Sequence, residues 1–331
     1  MIATGGEEKD IVVSDGANMQ LHRLHIFKYP GTHEFDVSDV GRISTEVDYL
    51  IVAGGGGGGS DMGGGGGAGG VLQGKTVVQA NTYAVEVGRG GLGHAGSYDN
   101  YPDHGENGFD SSFAGLVAIG GGAGSSGHYG NNGDRRVGGS SKEATDGGSG
   151  GGGSAAYRSV SLGRPPGKGT PGQGTDGGYG KYSSGEYQAG AGGGAGGNPE
   201  VNFVSSSRAG NGGPGVPSDI LGFTYYFGGG GGGAAHNNSN KAGNGGLGGG
   251  GAGGRWRQEY EAPYRKGFEG YGGLNMGSDT YYEDDYGHMG SHGGANTGGG
   301  GGGGLHQGYG GNGGSGIVVI RYPISTPRSV S

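Results

Sequence analysis

Six acidic and imidazole side chains crowd one short stretch, SDTYYEDDYGHMGSH (residues 278–292): Asp279, Glu283, Asp284, Asp285, His288 and His292. Carboxylates and imidazoles together suit a divalent ion. Their spacing fits neither an EF-hand nor a tetrahedral zinc motif, which favours a solvated acidic loop. Just upstream, RWRQEYEAPYRKGFEGYGG (residues 255–273) holds the only tryptophan, Trp256, with Tyr260, Tyr264, Phe268 and Tyr271. Tyr281, Tyr282 and Tyr286 extend the aromatic set. Rigid rings with polar edges suit a sugar or a protein partner. The alternative is that the rings pack as lids on neighbouring glycine segments. Residues 97–110 and 157–170 are weaker loop candidates. GGVLQGKT (residues 69–76) fits the phosphate-loop pattern, but TVVQANTYAVEV follows it and alternates as strands do, where a helix is required. Matches to G-x-G-x-x-G abound in so much glycine and carry no information. Asn237-Asn238-Ser239 is a glycosylation sequon without a secretory signal. No nucleophile, base and orienting group stand together, and no motif calls for a cofactor. The chain therefore does not read as an enzyme. A glycan depolymerase using Glu283, Asp284 and Asp285 is the enzymatic alternative.

Composition narrows the classes. Glycine supplies 99 of 331 residues. Leu, Ile, Val and Phe together fall well under a fifth, a balance usually found in disordered or fibrous chains. Collagen is excluded, because there are only 11 prolines and the glycines run consecutively. The absence of cysteine removes disulfides, iron–sulfur clusters and thiol chemistry. A net charge of −8 opposes nucleic-acid binding. No apolar run near Met1 suggests a signal peptide, and none approaches a membrane span. Synthesis in a cytosol is expected, with a particle outside the cell as a possible destination.

Strand-like segments punctuate the glycine. Residues 1–20 are weakly patterned and read as a tail or attachment segment. LHRLHIFKYPGTHEFDVS reads as a hairpin turning at Pro30–Gly31. VDYLIVA (residues 47–53) is apolar on both faces after Asp48, as in a central strand. Two more strands flank Gln79–Asn81, with Tyr83, Val85 and Val87 on one face. DSSFAGLVAIGG and DILGFTYYFGG give one strand each, and GIVVIRYP closes the domain at Pro323. No apolar period of 3.6 residues occurs, so little or no α-helix is expected. The result is an all-β chain of about seven or eight strands, with one domain over residues 21–323 and a tail over 324–331. Two phrases recur at irregular spacing: GGGAGG (residues 65–70, 192–197, 249–254) and GNGG (residues 210–213, 243–246, 311–314).

Ordering a glycine costs about 1–2 kcal/mol, so isolated runs stay loose. Extended polyglycine in the polyproline-II shape makes no internal hydrogen bonds, and its backbone groups must find partners elsewhere. Six glycines span roughly 19 Å and a six-residue strand roughly 20 Å. That match predicts a β-sandwich framing a bundle of polyglycine-II helices.

The ordered set VDYLIVAGGGGGG, GGGGAGGVLQGKTVVQANTYAVEVGRGG, DSSFAGLVAIGGG and GGSGIVVIRYP resembles the glycine-rich domain of bacteriophage tail and fibre proteins. The likeness covers roughly residues 21–323. It resembles polyglycine-II sandwich adhesins at fibre tips, and also the glycine-rich region of anaplastic lymphoma kinase-type receptors. The latter implies a jelly-roll or tumour-necrosis-factor-like sandwich, although this chain has no cysteine and no kinase region. The resemblance implies a virion protein on the particle surface that recognises the host through loops on a rigid scaffold. Its partners would be a host surface glycan or outer-membrane protein, other virion proteins and further copies of itself. It implies no nucleic acid and no membrane insertion. The alternative is a purely structural virion subunit, such as a capsid decoration or filament building block.

Overall fold

A computed structural model describes residues 1–15, 18–41, 45–94, 104–127, 143–155, 163–183, 186–200, 208–236, 241–255, 268–278, 289–305 and 308–324. The described residues contain strands and no α-helix. In chain order the strands are β1 (Ile2–Thr4), β2 (Glu7–Asp15), β3 (Asn18–Phe27), β4 (Gly31–Asp39), β5 (Glu46–Val52), β6 (Val71–Val77), β7 (Asn81–Val87), β8 (Ser111–Phe113) and β9 (Leu116–Ala118). There follow β10 (Lys181–Ser183), β11 (Glu186–Gln188), β12 (Val216–Ser218), β13 (Tyr225–Phe227), β14 (Ala235–His236) and β15 (Ile317–Pro323). Apart from the nine-residue β2, the strands beyond the seven or eight expected are two or three residues long.

Two five-stranded antiparallel sheets, β1-β4-β7-β8-β9 and β2-β3-β15-β5-β6, pack as a sandwich. Phe35, Val37, Val85, Val87 and Phe113 of the first meet Phe27, Val47, Ile51, Val318 and Ile320 of the second. The outer face of the second sheet is covered as well: Leu24, Leu50, Val52 and Val319 pack against Ile220 and Phe227. This double burial explains why the β5 and β15 sequences are apolar on both faces. β15 lies between β3 and β5, with Val318 opposite both Phe27 and Ile51.

Three local expectations are corrected. The segment from Leu24 to Val37 is no hairpin: β3 and β4 belong to different sheets, so that Phe27 and Phe35 enter the core from opposite sides. Residues 111–118 form two paired strands, turning at Ala114 (φ 50°) and Gly115 (φ 80°), the left-handed pair a tight hairpin requires. The first twenty residues supply β1 and β2 to the two sheets in place of the expected tail. Residues 325–331 of the expected C-terminal tail lie outside the described residues.

The strand ladders run on into glycine. Val52 pairs with Val71, and the next bond joins Ala53 N–H to the Gly70 carbonyl at 3.0 Å. Beyond it the bonding rotates. Gly54 and Gly57 donate to Phe109 and Glu106, Gly55 and Gly58 to Gly314 and Gly311, Gly56 and Gly59 to Gly67 and Gly64. The carbonyls behave likewise: Gly54 and Gly57 accept from Gly121 and Gly124, Gly55 and Gly58 from Gly91 and His94, Gly56 and Gly59 from Gly301 and Gly304. Every third residue thus returns to the same neighbour, and the run has six neighbours in all. A Cβ at any position from Gly54 to Gly59 would lie 2.0–2.2 Å from a carbonyl oxygen of another segment.

The GNGG phrase has a mechanical meaning in this array. Gly212 N–H donates to the Asn244 carbonyl, while Asn211 Oδ1 accepts from Asn244 N–H at 2.8 Å. Asn244-Gly245 grips both backbone groups of Phe268 in the same way. Asn312-Gly313 holds Gly93 N–H and the Gly91 carbonyl. Asn107-Gly108, Asp146-Gly147, Asp176-Gly177 and His292-Gly293 repeat the device on neighbouring segments. The side chain supplies the acceptor that another run would supply in the interior.

His25 is buried between Phe35 and Tyr322. Its Nδ1–H donates to the Gly5 carbonyl at 2.7 Å, and Nε2 accepts from the Tyr322 hydroxyl at 3.0 Å. Burial lowers the His25 pKa from the ordinary 6.5 and pushes Tyr322 up to about 12. The unfolded chain therefore binds a proton near pH 6.5 that the native state refuses. Stability is full above that pH and falls as pH drops from 6.5 toward the depressed value. Urea midpoints measured between pH 7.5 and pH 5 should show this slope, and His25→Gln should flatten it.

Steric demand in the array makes a sharper prediction. In Gly66→Ala the new Cβ would sit 2.1 Å from the Gly56 carbonyl oxygen, whereas in Gly178→Ala the nearest atom is 3.4 Å away. The first should cost more than about 3 kcal/mol or prevent folding, and the second should stay within about 1 kcal/mol of the parent by urea denaturation.

Candidate functional site: the end of the array remote from the sandwich

Ser60, Asp61 and Met62 turn the outward run from Gly54 back into the return run toward Gly70. Asp61 and Met62 take left-handed φ values of 54° and 62°. The ends of several runs converge on this turn. Gly127 donates to Ser60, Ala155 to Met62, Ala234 to Gly63, and Gly63 to Gly304. Met62, Ala155, Tyr187, Ala189, Ala234 and Leu305 bury one another there, closing the end with apolar side chains. Beside them lies a polar knot. Ser60 N–H donates to Ser126 Oγ at 2.9 Å, Ser60 Oγ meets His94 Nδ1 at 2.9 Å, and Ser125 Oγ meets Ser154 Oγ at 3.1 Å. All four serines are buried. The Ser60 hydroxyl thus ties the turn to the neighbouring runs, out of reach of solvent.

The described runs stop at this same end at His94, Gly127, Ala155, His236, Arg255 and Leu305. Their levels follow from the bonds of His94 to Gly58, Gly127 to Ser60, Ala155 to Met62 and Gly304 to Gly59, and from the Ala235–Arg255 bridge. The return toward the sandwich resumes at Lys241, Met289 and Gly308 on the same side. A shallow groove opens on the neighbouring flank, lined by the half-exposed Tyr179 with Lys181, Gln188, Glu200 and Arg208. Glu200 Oε2 accepts from Asn211 Nδ2 at 2.7 Å. On another flank the Arg89 guanidinium lies 3.9 Å over the Phe109 ring and bonds Glu106 at 2.7 Å, which holds that carboxyl below its usual range.

Of the residues singled out by sequence, Trp256, Tyr260, Tyr264, Tyr281, Tyr282, Tyr286, Asp279, Glu283, Asp284, Asp285 and His288 lie outside the described residues. The sequon at Asn237 does too. Phe268 and Tyr271 are described, and each is 70% exposed. They stand on a flank: Phe268 is held by Asn244, and the Tyr271 carbonyl accepts from Gly248. They do not serve as buried lids. His292 is engaged by its fold position, with Nδ1 accepting from Asn312 N–H at 2.8 Å. Among the described residues no three His, Asp or Glu side chains cluster as metal ligands. The phosphate-loop match falls on β6, where Lys75 pairs with Glu46 at 3.3 Å and no helix follows.

Sequence reasoning missed the apolar closure at the end of the array. Its signal is a lone large side chain set in glycine, as in SDMGGGG and GGGGLHQ. It also missed the groove, whose residues are scattered along the chain from Tyr179 to Arg208.

Two antiparallel sheets packed as a sandwich, extended by hydrogen-bonded glycine runs, define an all-β glycine-rich domain. The chain belongs to the glycine-rich domain family, which matches residues 32–323. Among curated proteins no match is found.

Leu305→Ala should cost about 2–5 kcal/mol if it opens a cavity in the end cluster. Hydrogen exchange should quicken at residues 60–64 and 304, with β15 unchanged. Equal quickening in β15 would mean that the end is not a separate unit.

Proposed function

We propose that this chain is a virion-associated protein of a phage tail fibre, tip or spike, which recognises or adheres to the host surface. In this reading the glycine runs are polyglycine-II helices, supported by the return of every third residue to the same neighbour. They form a stiff platform on the sandwich, and the connecting loops carry recognition. The observation that carries the reading is the gathering of run ends on one side: His94, Gly127 and Arg255, which precede segments as unlike as 95–103, 128–142 and 256–267, all lie at the level of the Ser60–Met62 turn. A preordered platform lowers the entropy lost when such loops bind. The exposed rings of Phe268 and Tyr271 add an aromatic flank suited to a sugar or protein surface. The partners are a host surface glycan or an outer-membrane protein, with other virion proteins and further copies of this chain on the particle side.

Replacing residues 256–267 by a short Gly–Ser linker should lower particle adsorption at least about tenfold, near 1.4 kcal/mol, while particles still assemble. Failed assembly, with the isolated protein folded, would instead assign a structural role in the particle.

A further inference from the structure

The seven clamps stand where the array meets solvent. Asn107, Asp146 and Asp176 are exposed, and Asn211, Asn244, His292 and Asn312 are partly so, while the glycines inside the runs are buried. An outer run without clamps would present to solvent the row that inner runs use on one another. That row has no side chains and carries N–H groups at three-residue intervals. The partner it fits best is another glycine run, and the source always at hand is a second copy of this chain. Each clamp opposes that in two ways. Its oxygen or imidazole nitrogen takes an outward N–H, as at Asn244, Phe268 and Gly93. Its bulk also occupies the outer face, and inner runs approach so closely that a Cβ would lie about 2 Å from a facing oxygen. The problem matches that of an exposed strand edge, which proteins guard with charges and side-chain obstacles.

We propose that the Asn-Gly, Asp-Gly and His-Gly clamps seal the outer faces of the array against the glycine runs of a second copy, keeping the array finite. The inference goes beyond the host-recognition reading and does not depend on it. The test uses the full chain with Asn211, Asn244 and Asn312 changed to Gly, singly and together, and Asn→Asp at the same positions as controls that keep the acceptor. Mass is followed by light scattering over a wide range of concentration. The Gly variants should gain mass with concentration, by at least about twofold as in a dimer, and lose it on dilution, while the Asp variants keep the parent's mass. Gly variants that retain the parent's circular dichroism and its mass would overturn the proposal. Asn107→Gly alters an exposed clamp and decides the matter in the same way if the triple variant unfolds.

Discussion

The structure depends on the closeness with which bare backbones approach one another. Carbonyl oxygens occupy the space where side chains would begin. At Gly54 through Gly59 a Cβ would meet one at 2.0–2.2 Å, and similar distances recur in the other runs. Close approach lets every N–H and C=O from Gly54 to Gly59 find a partner on a neighbouring segment, which satisfies the requirement that buried backbone groups be paired. It also explains the composition. Glycine here is a packing residue, and its abundance measures the number of runs stacked together. Alanine enters where a methyl fits, as at the buried Ala68, Ala123 and Ala252.

Such an array has little apolar side-chain area of its own to bury, so its order leans on the sandwich. The sandwich supplies aromatic and branched side chains on both faces of the sheet containing β5 and β15. Strand register then fixes run register: Val52 opposite Val71 sets Ala53 opposite Gly70, and the rotating bonds follow. At the remote end Met62, Tyr187 and Leu305 give a second, smaller anchor. The runs are thus held at both ends.

The strand frame was legible because it obeys ordinary patterns. Alternation in β7 and double-sided hydrophobicity in β5 and β15 identify their faces and central positions. The failures are equally physical. Pro30–Gly31 marks a change of direction, and nothing local distinguishes a turn within one sheet from a crossing between two. β10, β11, β12 and β14 are too short to show a period, and β11 pairs with β14 nearly fifty residues on. The GNGG phrase was visible as a repeat, but its meaning lay in partners such as Phe268 and Gly93, which no spacing rule connects to it. The catalytic-looking stretches rest on residue type alone. Of them, Lys75 pairs on a strand and His292 is tied to Asn312.

The place of β15 carries one more consequence. Strands β3 and β5 flank a gap that only residues 317–323 fill. As the chain emerges from the ribosome, its first three hundred residues must wait without their central strand. Contacts of such long sequence separation form slowly, and a nascent chain with half-built sheets is open to mispairing in the interval. The keystone is made after every strand it joins, so closure of the sandwich waits for residues 317–323.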